Sequence, residues 1–367
     1  MKTPMGGGVA PGFESVADTF RELLDSGAET GASCAAYVRG VLVVDLWGGW
    51  ADAARTRPWE PDTLVTVFSA SKPVTALAVL ARVADGRIEL DAPIVRYWPQ
   101  FPHPGATVRH ALSHQAGLPA VAASLTAAEA LDWPRFTAAI AASPLEWEPG
   151  TAVGEHALTY GNILGAILRG ATGETIGSVV ASFGVDFHFG LSPADIVRCA
   201  EVEHGSPDWP SASIHGHGDL WARALGNPPD LLSTSVLNGA AWREGELPAV
   251  NGHTTARGLA SLYERLSSLL PADLLTEALS TQVNGYDRLL QEDAEWTLGW
   301  RRDESWVGMG GIGGSSAGGT FAGDPRTDYR LAYVTRHLAD HDRGNAMYDA
   351  LEACLASSSP SSSSSEV

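Results

Sequence analysis

The stretch V-G-M-G-G-I-G-G-S-S-A-G-G at residues 307–319 decides the fold, because it satisfies three incompatible patterns at once. Gly308-Met309-Gly310-Gly311-Ile312-Gly313 fits G-x-G-x-x-G, which in a dinucleotide-binding unit lies between a strand and a helix. Gly314-Ser315-Ser316-Ala317-Gly318 fits G-x-S-x-G, a strand–turn–helix elbow that presents a nucleophilic serine. The third reading is a glycine-lined strand edge that holds a substrate carbonyl while the nucleophile lies elsewhere.

The flanking sequence separates them. The next residues, T-F-A-G-D-P-R-T-D-Y-R-L-A-Y-V (320–334), read as a turn and another strand, and about fifty residues remain. That is too little chain for a dinucleotide domain, and no helix follows Gly313. Asp324 and His337 stand in the right order to partner Ser316, but the elbow also lacks its helix. The strand edge is the reading that the context supports.

Further strands stand at the other end of the chain. C-A-A-Y-V (34–38) and V-L-V-V-D-L-W (41–47) flank Arg39-Gly40, a two-residue hairpin turn. Residues 12–26 carry apolar positions at helical spacing, and a second helix is expected from Ser69 to about Gly86. Pro73 is tolerable in its first turn, where the N–H groups have no intrahelical partner. The middle, roughly 88–290, is helical in period and broken by loops, the longest at 201–218; strands return from 296. The expected fold class is α+β. An antiparallel sheet from both chain ends, flanked by helices, forms one lobe (10–85 and 290–355), and 86–289 form an inserted, mainly helical lobe. The tail 357–367, S-S-S-P-S-S-S-S-S-E-V, is low-complexity and expected to be disordered.

Composition narrows the function. With 367 residues, 44% hydrophobic and 18% charged, the chain can bury a large core. Its formal net charge of −19 repels phosphate backbones and anionic lipid, which argues against nucleic-acid and membrane partners. Cys34, Cys199 and Cys354 show no metal or redox spacing and read as free thiols in the core. The first residues carry no apolar signal segment, so a cytoplasmic location is expected. Of 24 basic side chains only two are lysines, Lys2 and Lys72. Arginine cannot be deprotonated in a protein, whereas a buried lysine can serve as a neutral base. Lys72 is therefore the informative cation.

It ends Ser69-Ala70-Ser71-Lys72, an S-x-x-K at a helix start. Residues three apart share a helix face, so the Lys72 amine can reach the Ser69 hydroxyl. The helix N-terminus also favours developing negative charge. A second motif, Tyr160-Gly161-Asn162, closes the approach E-P-G-T-A-V-G-E-H-A-L-T-Y-G-N (148–162). A tyrosine beside an ammonium can act as a general base, and an asparagine amide can donate to a carbonyl.

Ser69–Lys72, Tyr160–Asn162 and the glycine box at 309–311, in that order, resemble the three motifs of serine β-lactamases and penicillin-binding proteins. Segments such as V-V-D-L-W-G-G-W-A-D (43–52), L-S-H-Q-A-G-L-P (112–119) and N-G-H-T-T-A-R-G-L-A-S-L-Y (251–263) look like the branch of β-lactamase-like carboxylesterases and related acyltransferases. The resemblance covers roughly residues 10–350. It implies Ser69 as the acylated nucleophile, with Lys72 and Tyr160 as its proton-transfer pair. Asn162, Met309, Gly310 and Gly311 would contact substrate, and the N–H groups of Ser69 and Ile312 would form the oxyanion hole. It implies a small-molecule ester or amide as acyl donor, water or a small amine or alcohol as acceptor, and no metal or cofactor. Ester hydrolysis is the leading expectation and transfer to an amine or alcohol the alternative. Met309 departs from the pattern, whose usual Lys or His supplies a cation for a substrate carboxylate. That weakens the β-lactamase and peptidase readings.

Other candidates are weaker. His215-Gly216-His217-Gly218-Asp219 resembles a metal-ligand run, but Leu220 stands where a further ligand is expected. His114 and His253 read as loop organisers.

Overall fold

The computed structural model describes residues 3–206, 209–210, 218–321 and 328–357. Three strands come from the N-terminal segment: β1 (Met5–Val9), β2 (Gly31–Val38) and β3 (Val41–Gly49). Six come from the C-terminal part: β4 (Val283–Asp287), β5 (Glu292–Trp296), β6 (Arg301–Asp303), β7 (Trp306–Gly310), β8 (Ser316–Thr320) and β9 (Tyr329–Thr335). They form one antiparallel sheet in the order β1-β3-β2-β9-β8-β7-β6-β5-β4. The two chain ends meet where β2 pairs with β9, from Tyr329 opposite Val38 to Thr335 opposite Ala32. The α+β class with a sheet from both ends is as the sequence implies.

The hairpin between β2 and β3 turns on Arg39 (φ 50°) and Gly40 (φ 81°), the two successive left-handed residues such a turn requires. Strand β2 is buried on both faces, and its small side chains alternate with period two. Ala32, Cys34 and Ala36 face a core with Val16, Phe20 and Leu24 of α1 (Glu14–Ser26), together with Met347 and Leu351 of the C-terminal helix Asp342–Ser357. Each fully buried Val, Leu, Phe or Met side chain of this core stabilises the fold by about 1.5–3 kcal/mol. Ala35 faces the larger core on the opposite side.

That larger core is built around α2 (Lys72–Ala84), whose first ten residues are all buried, and α3 (Thr159–Thr172), which packs against it. A short sheet, Val65–Thr66 with His253–Thr254 and Phe187–His188, lies just before the segment that leads into α2. Among the described residues the three cysteines form no disulfide, and all are buried.

Two differences from expectation have physical causes. Strands begin at Val283 rather than 296, because V-N-G-Y-D and E-D-A-E-W are polar strands with one partly exposed face and lack an apolar alternation. The helix expected at Ser69 starts at Lys72, preceded by a 3-10 turn over Phe68–Ser71. The tail from Ser358 onward lies outside the described residues, while Ser357 ends the last helix. Among the described residues no helix is long and apolar enough to cross a membrane.

Candidate active site

Ser69 sits in a strained turn. The preceding Phe68 is a non-glycine residue at φ 48°, a conformation that costs about 1–3 kcal/mol and needs support from its surroundings. Support comes from Trp209 and Trp242, whose rings both lie 6.3 Å from the Phe68 ring. Ser71 Oγ also accepts from the Gly252 N–H at 3.0 Å, tying the turn to the short sheet. The passage from 3-10 turn to α-helix leaves residues 69 and 72 on one face. Lys72 Nζ donates to Ser69 Oγ at 2.7 Å, so the S-x-x-K reach holds.

Lys72 is completely buried, and its second partner is the Glu155 carboxylate at 2.9 Å, itself 7% exposed. Burial pulls the Lys72 pKa below the usual lysine range, and Glu155 pulls it back. Glu155 is the residue that sequence reasoning misses. It stands five positions before Tyr160, and its only signal is an acidic side chain inside an apolar, glycine-rich run.

The expected Lys72–Tyr160 pair does not form. Tyr160 lies in the first turn of α3 with its hydroxyl donating to the Leu112 carbonyl at 3.1 Å, and its ring stacks on His114 at 4.5 Å. Burial alone pushes its pKa well above the ordinary tyrosine value. Asn162 is also fully buried; its amide donates to Thr137 Oγ1 at 3.2 Å, and neither residue lines the cleft. The α3 helix carries both side chains into the helical core, while the preceding loop brings Glu155 to Lys72.

The loop is pinned from a distance. The Glu155 N–H donates to the Asp287 carboxylate at 3.0 and 3.2 Å, and Asp287 also accepts from the N–H of Leu289 and Leu290 and from Trp296 Nε1. On the other side the His156 N–H donates to His114 Nδ1 at 3.1 Å, and His156 Nε2 accepts from the Leu118 N–H. Burial holds His156 neutral, with its pKa at about 4, and His114 is likewise depressed. His114 and His253 are buried side chains within the fold.

The glycine stretch forms β7, a turn and β8. Met309 pairs with Ala317, and Gly310 pairs with Ser316. A strand follows Ser316, so the stretch is neither an elbow nor a dinucleotide loop. A Cβ on Gly311 would fall 2.3 Å from the Val67 carbonyl oxygen and 3.1 Å from Ser69 N, so the strand end packs directly on the nucleophile turn. The same atom on Gly310 would meet the His341 ring at 2.7 Å. These glycines therefore permit close packing. Ser69, Met309, Gly310 and Ile312 line one cleft of about 680 Å³.

Its wall near Ser69 is apolar, with Phe68, Leu158, Trp221, Trp296 and Met309. Met309 packs with Val153 and Trp296 and offers no charge. The cleft continues past Gly310 to Asn345, Tyr348 and Asp349 of the C-terminal helix. Among its described lining residues the one arginine, Arg301, is paired with Glu292 at 2.7 Å, against the carboxylates Glu155, Asp303, Asp349 and Glu352. His215 and His217 of the metal-like run lie outside the described residues, and Asp219 pairs with Arg223.

Comparison with known proteins shows the family. Residues 16–353 match the Beta-lactamase family. The Esterase/beta-lactamase LipL of Mycobacterium tuberculosis is 30% identical over 90% of this chain and 83% of its own length. Among solved structures, a family VIII carboxylesterase superposes with TM-score 0.85 at 29% identity, covering 96% of this chain and 100% of that one. A penicillin-binding protein homologue from Caulobacter crescentus gives 0.84 at 30% identity with the same coverage. With a serine and lysine 2.7 Å apart at the start of the buried central helix, and a strand end packed on their turn, the chain belongs to the beta-lactamase family.

Proposed function

We propose that the protein hydrolyses carboxylic esters through a covalent acyl–Ser69 intermediate. The observation that carries this reading is the 2.7 Å contact between a buried lysine amine and a half-buried serine at the floor of an apolar cleft. Ser69 Oγ attacks the ester carbonyl, and the alkoxide leaves with a proton returned by the site. Water then attacks the acyl carbonyl and releases Ser69. The N–H groups of Ser69 and Ile312 serve as the oxyanion donors in this reading; it is supported by the close approach of Gly311 to Ser69 N and by Ile312 lining the same cleft.

The lining selects the substrate class. A carboxylate-bearing donor meets Met309 and a set of carboxylates, with the one described lining arginine already paired. An uncharged acyl group fits the apolar wall better. The relatives named esterase and carboxylesterase support ester hydrolysis. The cleft runs on beyond Ser69 toward the C-terminal helix, which leaves room for an amine or alcohol acceptor and keeps acyl transfer as the second reading.

The test is direct. Mixing the protein with a small activated ester and measuring intact mass should show one acyl adduct, absent in Ser69→Ala. Adding amine and alcohol acceptors then reads the partition between free acid and transfer product. An adduct that survives Ser69→Ala would defeat the assignment.

A further inference from the structure

We propose that Glu155 completes the proton-transfer machinery at Ser69, in the place where a tyrosine was expected. This role rests on the acyl–Ser69 reading of the site.

Among the described residues Lys72 Nζ has two polar partners, Ser69 Oγ at 2.7 Å and Glu155 Oε1 at 2.9 Å. An ammonium donates three protons and accepts none. While it donates to both neighbours, Lys72 cannot also take the proton that Ser69 must lose. Glu155 resolves this, since it is the base in contact with Lys72. The Lys72 proton moves to Glu155 Oε1, leaving an amine and a carboxylic acid, and both charges disappear from a buried site. Lys72 Nζ then takes the Ser69 proton as Oγ bonds to the acyl carbon. The tetrahedral adduct collapses, the carbon–oxygen ester bond breaks with its electrons on the leaving oxygen, and Lys72 protonates that oxygen. Glu155 returns its proton to Lys72, and the pair is restored. In the second half, water gives its proton to Glu155 as its oxygen bonds to the acyl carbon; the bond between that carbon and Ser69 Oγ then breaks with its electrons on Oγ, and the pair delivers the proton to Oγ.

The surroundings favour this assignment. Glu155 lines the cleft beside Ser69, so its carboxylate also faces the space an attacking water would occupy. Its backbone is fixed by Asp287 from one side, and the following residue is fixed by His114 from the other. Among the described residues, the charged and titratable groups around the pair are Asp287 at the end of β4, and His114 and His156 on the flanking loops. Both histidines are held neutral by burial, helped by the Lys72 charge, so neither competes for the proton at neutral pH. Tyr160 is tied to the Leu112 carbonyl and is no candidate for a phenolate.

The experiment compares Glu155→Gln, Glu155→Asp and Tyr160→Phe by steady-state kinetics on the activated ester from pH 5 to 10, with thermal melting to show folding. Glu155→Gln is expected to lower kcat at pH 7 by at least about 10²-fold, the usual range for a lost general base. The acid limb of its pH profile should move upward by more than one pH unit, because activity then waits for Lys72 itself to lose a proton. Glu155→Asp should keep the acid limb of the wild type with a kcat about tenfold lower. Tyr160→Phe should change kcat less than about threefold. If Glu155→Gln fails to fold, the Asp variant carries the test, and an unchanged kcat there overturns the proposal. It is also overturned by a Glu155→Gln profile with the wild-type acid limb, or by a loss in Tyr160→Phe equal to that in Glu155→Gln. Failure of the acyl–enzyme reading is distinct, since wild type would then give no Ser69 adduct at all.

Discussion

Gly311→Ala tests whether the glycine stretch acts by packing on the nucleophile turn. Its new Cβ would lie 2.3 Å from the Val67 carbonyl oxygen, 3.0 Å from Phe68 Cβ and 3.1 Å from Ser69 N. Restoring even a 3.0 Å approach to the carbonyl requires a shift of about 0.7 Å. The turn has little freedom to give. The Val67 N–H is bonded to the Gly252 carbonyl at 2.9 Å, and Phe68 is wedged at φ 48° between two tryptophans. The shift therefore separates Ser69 from Ile312, the two oxyanion donors proposed above. A misplacement of about 1 Å costs about 10²-fold in rate, and overpacking costs about 1–3 kcal/mol. The expected result is a kcat on a small chromogenic ester about 10²-fold below wild type, with a lowered melting temperature. Gly310→Ala is the control on the adjacent residue. Its Cβ meets the tip of the His341 ring, which can turn aside, so the loss should stay under about tenfold. A role in packing on the turn is refuted if Gly311→Ala keeps more than a third of the wild-type kcat, or if the two variants lose activity equally.

Three further outcomes are expected. Lys72→Arg keeps a cation that cannot give up its proton, so the acylation rate measured by intact mass should fall by about 10³-fold; a loss under tenfold removes Lys72 from the chemistry. Met309→Lys places an ammonium among Val153, Ala294 and Trp296. It should lower the melting temperature and narrow the preference for neutral over carboxylate-bearing esters, and an unchanged preference would show that position 309 does not read the acyl group. Burial holds the pKa of His156 at about 4 and of His253 at about 3, below the value of about 6.5 in the unfolded chain. Between these values the unfolded chain binds more protons, so stability is intact above about pH 6.5 and declines as pH falls toward 4, by about 1.4 kcal/mol per pH unit for each histidine. Urea unfolding at pH 7 and pH 5 should show the decline, and His253→Gln should make it shallower; the same slope in that variant contradicts the assignment.

Much of this was legible in local pattern. The hairpin at Arg39-Gly40, the turn-and-strand context after Ser316 and the S-x-x-K spacing each depend on residues within a few positions, and each appears in the structure. Lys72 stood out because the chain supplies almost all its other positive charge as arginine. The polar strands 283–296 were not legible, since a partly exposed edge region needs no apolar alternation. Tyr160 was misplaced for a different reason. Motif order says which residues lie near one another along the chain, not which side of a helix they face. The first turn of α3 directs Tyr160 to the Leu112 carbonyl, while Glu155 lies in the loop that returns to Lys72.

That loop also explains why no local signal could have found Glu155. Its position depends on a carboxylate 132 residues away, because Asp287 holds its N–H together with those of Leu289 and Leu290 and the Trp296 indole. The strand bearing Asp287 enters the sheet beside β5, and β5 leads through β6 to β7 and the Gly311 contact with the Ser69 turn. One run of antiparallel pairing thus sets both the position of the glycine wall at Ser69 and the position of the carboxylate. Ser69 and Lys72 come from the helical core, while Glu155 and Ile312 are fixed through the sheet. Serine, lysine, carboxylate and strand edge are therefore in register only when the sheet is packed on α2. Disturbing the β4–β5 pairing at Gly285 and Ala294, which lie outside the cleft lining, should for that reason impair catalysis.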